Sequence, residues 1–105
     1  MQNVSTHALG QIGTGIEKMK KEFTPYFCED NIVDIILPAD RIEEDKTRKW
    51  LIIGWPGVDG IQFRVKVSDA DQGVYAFYPV EQEYIKIADS DKDLIEKWKS
   101  GQVTL

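Results

Sequence analysis

His7 and Cys28 are the only imidazole and the only thiol in 105 residues, so the side chains that most often carry nucleophilic, acid/base or zinc chemistry occur once each. A His/Cys metal cluster or a Cys-His pair cannot be assembled from them with any confidence in spacing. His7, close to the N-terminus, reads as a solvent-exposed side chain. Cys28, between Phe27 and Glu29, reads as an inert, partly buried thiol, and a lone cysteine forms no intrachain disulfide.

Carboxylates are the abundant candidates. Asp59, Asp69, Asp71, Glu81 and Glu83 stand at or near predicted strand ends, and two of them at the roughly 5–9 Å separation used in glycoside hydrolysis would be competent for it. With 18 acids in a chain this short, however, such a coincidence is expected and singles out no pair. Asp69-x-Asp71-x-Gly73 resembles the opening of a calcium loop. It runs straight into Val74-Tyr75-Ala76-Phe77 without a third oxygen ligand or a closing bidentate glutamate, so turn formation accounts for both aspartates. The glycines of Gly54-Trp55-Pro56-Gly57-Val58-Asp59-Gly60 invite a phosphate-loop reading. Such a loop must open a helix, whereas Ile61 onward alternates as a strand. What this loop does offer is Trp55, either folded back as a lid on the core or presented as an interface anchor. No cofactor or metal is implied by any of these residues.

Charge narrows the partners. Thirteen Lys and Arg against 18 Asp and Glu give a net charge of −5, which disfavours nucleic acid because counterion release at a polyanion cannot supply the affinity. The short basic runs 18–23 and 46–50 are flanked by acids. A protein partner, a basic one above all, suits this charge better. No window approaches the roughly 18 apolar residues of a membrane helix, and residues 1–18 lack a signal-peptide pattern, so a cytoplasmic chain without a membrane role is expected.

The length and the 42% hydrophobic content predict a single domain over residues 1–105. Ala8, Leu9, Ile12, Ile16, Met19 and Phe23 form an apolar stripe interrupted by Gly10, Gly13 and Gly15, as one helix or two. Thr14 and Glu17 have capping-box spacing, which places a helix over about 15–23 before Pro25. Thr24 to Asn31 reads as an exposed linker, Ile32 to Leu37 as a β-branched strand closed by Pro38, and 39–49 as a surface helix or a loop. Four further strands follow: Trp50–Ile53, Ile61–Val67 with its strict alternation, Val74–Tyr78, and Tyr84–Ala88. Their short connections require antiparallel neighbours. Ser90 and Asp93 cap a C-terminal helix that Gly101 ends, with Trp98 expected as its main anchor. The fold class is therefore α+β, an antiparallel four- or five-stranded meander with N- and C-terminal helices packed on one face.

On that sheet, Ile61, Phe63, Val65 and Val67 face the helices and Arg64 and Lys66 face away, so the outer face displays tyrosines among charges. It is either an interface or an ordinary solvated surface. Trp55, Asp59, Asp69, Asp71 and Tyr84 are the candidate partner-binding residues.

The order Trp50-Leu51-Ile52-Ile53-Gly54, Asp59-Gly60-Ile61-Gln62-Phe63, Val74-Tyr75-Ala76-Phe77 and Ile87-Ala88-Asp89-Ser90 with Leu94-Ile95 resembles the SMI1/KNR4-like (SUKH) superfamily over about residues 50–99. The resemblance implies helices packed on an antiparallel sheet and a small soluble non-enzymatic protein-binding domain. Many bacterial members are immunity proteins that neutralise a toxin. The alternative is a small enzyme or ligand-binding domain using Asp59, or the Asp69/Asp71 turn, near an aromatic pocket.

Overall fold

The computed structural model describes residues 15–67, 73–103 and 105. His7, Thr14, Asp69 and Asp71 therefore lie outside the described residues, as do Ala8, Leu9 and Ile12, half of the first apolar stripe. In chain order the elements are helix α1 (residues 15–21), strands β1 (Tyr26–Cys28) and β2 (Val33–Ile36), a 3-10 turn (Ala39–Arg41), strands β3 (Glu43–Glu44), β4 (Trp50–Gly54), β5 (Gln62–Lys66), β6 (Val74–Tyr78) and β7 (Glu83–Ala88), and helix α2 (Asp91–Lys99). The fold is α+β.

Strands β4 to β7 form the expected antiparallel meander, and β3 extends it to five strands in the order β3-β4-β5-β6-β7. Alternation divides its faces. Leu51, Ile53, Phe63, Val65, Val74 and Ala76 point inward and are buried, joined by Ile35, Ile36, Leu37 and Ile42 from the segment before the sheet and by Leu94 from α2. Ile16, Met19 and Phe23 pack on the same core from α1.

Three expectations change. Thr24 to Asn31 is not simply a linker, because Tyr26–Cys28 pairs antiparallel with β2 in a separate two-stranded sheet. The strand expected over Ile32–Leu37 is accordingly shorter, with Ile32 placed in the turn. Residues 39–49 contain the 3-10 turn and β3, too short for periodicity to register.

The handover along β4 explains Gly54. Strand β3 pairs with Leu51 and Ile52, then the segment around β2 takes over, with Leu37 N donating to Ile53 O at 2.7 Å and Trp55 N donating to Asp34 O at 2.9 Å. The two backbones approach so closely there that a Cβ on Gly54 would overlap the Ile35 carbonyl oxygen.

Helix α2 is built by local chemistry. Ser90 Oγ accepts from Asp93 N at 3.0 Å, and the Asp93 carboxylate accepts from Asp89 N at 2.9 Å, one residue earlier than the reciprocal bond of an ideal capping box. At the other end Gly101 N donates to Trp98 O and Gln102 N to Lys97 O, the paired bonds of a Schellman motif, with Gly101 at φ +74°. Its anchor is Leu94, fully buried. Trp98 is only partly buried, packed against the core and edge-on to Phe63 at 6.4 Å.

Candidate functional site

Two surfaces concentrate side chains suited to recognition. The first is the end of the meander where β4 turns into β5 and β6 turns into β7. The connection 55–61 begins with Trp55, 39% exposed, and a side chain at Gly57, φ +81°, would collide with Val33, so this loop lies against the β1–β2 hairpin. Gly60 in turn lies over Pro79 of the β6–β7 turn. The hairpin turn 29–32, the loop 55–61 and the turn 79–82 thus meet in one rim.

That rim is apolar where such connections are ordinarily polar. Among the described residues, the exposed large apolar side chains are Phe27, Ile32, Trp55, Val58, Val80 and Ile85, and all but Ile85 lie in these connections or in the adjoining β1. Val80 is 86% exposed and Ile32 76%. A cleft of about 460 Å³ opens beside them between Asp59, Ile61, Tyr78, Pro79, Val80 and Leu105. Glu29, Asp30, Asp34, Asp59, Glu81 and Glu83 surround the rim, and residues 26–37, 54–61 and 78–83 contain no Lys or Arg. Arg41 reaches in from outside to pair with Asp34 at 3.4 Å.

The second surface is the outer sheet face. Register places Gln62 opposite Phe77, Phe77 opposite Tyr84, Arg64 opposite Tyr75, and Trp50 opposite Lys66. Arg64 lies with its guanidinium 4.1 Å from the Phe77 ring centroid. Its Nε donates to Gln62 Oε1 at 2.7 Å, and its Nη1 donates to Tyr84 Oη at 2.9 Å and to Asp45 Oδ2 at 3.3 Å. The Arg64 and Asp45 side chains are 10% and 9% exposed. Asp45 is further held by Thr47 Oγ1 and by Trp50 N, both donating to it. Trp50 stacks on Tyr84 at 4.1 Å and meets Tyr75 edge-on at 5.4 Å. A cleft of about 610 Å³ adjoins this network, with Glu43, Thr47 and Gln82 on its margin.

The chemistry of the two surfaces differs. On the outer face the aromatic rings and the buried charge pair satisfy one another, which rigidifies the sheet, while the buried Glu44 Oε2 on the same cleft has no hydrogen-bond partner among the described residues. At the rim, large apolar groups face water.

Trp55 and Asp59 are brought together at the rim, on one loop. Tyr84 is separate from them, half-buried on the outer face of the edge strand β7. Trp55 is too exposed for a full lid. Ile32, Val58 and Val80 were not singled out from sequence, although an apolar residue inside a predicted turn is a visible anomaly. Asp45 and Arg64, 19 positions apart, carry no local signal of their pairing. Among the described residues no group of three His, Cys, Asp or Glu is placed to hold a metal ion, and no helix is long and apolar enough to cross a membrane. Comparison with protein-family models, curated proteins and solved structures returns no significant match.

Proposed function

We propose that this chain is a small, non-enzymatic, cytoplasmic protein-binding domain that docks a basic protein on the apolar, acid-ringed rim of its meander. The observation that carries this reading is the clustering of Ile32, Trp55, Val58 and Val80 at one end of the molecule beside six acids, of which Asp34 is paired by Arg41, on segments that contain no Lys or Arg of their own. Apolar anchors with a charged margin are how a binding surface divides its work, the centre supplying affinity and the margin selecting the partner. The resemblance of residues 50–99 to SMI1/KNR4-like proteins supports an immunity-type role, binding and neutralising a toxin.

Affinity capture from the source cells, run with the wild type and with Trp55→Ala, tests the reading. A basic protein retained by the wild type and depleted by Trp55→Ala is the expected result. Equal retention by both removes Trp55 from the interface, and turnover of a small molecule by the purified chain overturns the non-enzymatic assignment. The cleft beside Asp59 and Tyr78 favours a ligand-binding domain as the second reading, for which Asp59→Asn would abolish ligand binding while leaving protein capture intact.

A further inference from the structure

We propose that Ile32 is the anchor of the rim and that it seats on an amphipathic basic segment of the partner, an apolar strip flanked by lysine or arginine; this rests on the rim being the docking surface. Ile32 ends the four-residue turn 29–32 with φ +56° and is 76% exposed. A β-branched residue in the left-handed region is a steric outlier, and an apolar one facing water gains nothing from burial. The turn does not call for isoleucine. In the β6–β7 turn 79–82 the same fourth position, again at φ +56°, is filled by Gln82. The core does not call for it either, since Val33, the next residue, is the one that packs against the core. A side chain that serves neither the turn nor the core is left with a contact outside the chain, the inference that backbone strain at a functional site licenses.

The placement suits an anchor. Cys28 Sγ donates to Asn31 Oδ1 at 3.2 Å across the turn, and the branched side chain has few rotamers, so little freedom is lost when it is gripped. Glu29 and Asp30 stand three and two residues before it, with Asp34 two residues beyond. Such a surround repels the phosphates of nucleic acids and anionic lipids and favours a cationic margin on the partner.

A short synthetic Leu/Lys amphipathic helix, labelled for fluorescence anisotropy, is the probe, with its Leu/Glu counterpart as control. The wild type is expected to bind the Leu/Lys peptide in preference. Ile32→Asn, placing a residue that tolerates the left-handed region, is expected to weaken that binding about tenfold while raising Tm by about 4 °C. Ile85→Asn, which removes an exposed isoleucine from β7, is expected to leave binding unchanged. Unaltered binding by Ile32→Asn, a lowered Tm, or an equal loss with Ile85→Asn each overturns the assignment of Ile32 while sparing the rim. Failure of the wild type to prefer the Leu/Lys peptide overturns the rim as the docking surface, and the anchor with it.

Discussion

Single residues here are constrained by quite different forces. Gly54 is held by backbone proximity, so Gly54→Ala must separate β2 from β4 and is expected to cost about 3 kcal/mol or more in urea unfolding. Asp45 is held by charge. Asp45→Ala would leave the Arg64 guanidinium buried with only Gln62 and Tyr84 as acceptors, a loss of about 3 kcal/mol by the same measurement. Asp93 is held by a cap. Chiefly the Asp89 N–H holds its carboxyl below the ordinary value of 3.8, against desolvation and with a smaller contribution from Lys97. Because the folded pKa is the lower one, the unfolded chain binds the proton more readily. The stabilisation is therefore complete above the ordinary value and is lost as the pH falls through the folded one. Asp93→Asn should flatten the acid limb of stability against pH and leave the neutral slope unchanged.

Elements whose causes are local were legible from the residues alone. Helix α2 could be read at both ends because Ser90, Asp93 and Gly101 act within a turn of where they stand. The same locality predicts that Gly101→Ala, which meets no atom within 4 Å, loses about 1 kcal/mol from φ alone. Leu94→Ala, by contrast, should cost about 3 kcal/mol by opening the core, measured by thermal or urea unfolding. Strands β4 to β7 were legible through alternation and short connections. Strands β1 and β3 were not, for at three and two residues they exist only through their partners. Burial was harder to anticipate than pairing. Ile85 lies on the inward register opposite Ala76, yet it is 49% exposed because β7 is the edge of the sheet. Trp98 was expected to be the anchor for its size, but it is Leu94 that is fully buried. At the candidate site, Trp55 and Asp59 were found through loop composition, whereas the hairpin that brings Ile32 beside them follows from the unforeseen β1.

For the molecule as a whole, the rim collects as much negative charge as the chain carries in total: its six acids, less the Arg41 that pairs with Asp34, match the net charge of −5, and the remaining sequence is neutral. Charge separation of this kind gives a protein an electric dipole moment. In the field of a cationic partner the molecule would experience a torque as well as an attraction, turning the rim forward before any apolar group touches. Association with the Leu/Lys peptide should therefore slow steeply as salt is raised, while the dissociation rate, governed by the buried isoleucine and tryptophan, changes little; stopped-flow mixing across ionic strengths separates the two. Two copies of this chain meeting rim to rim would feel the opposite torque, so the field of each would turn the apolar end of the other away.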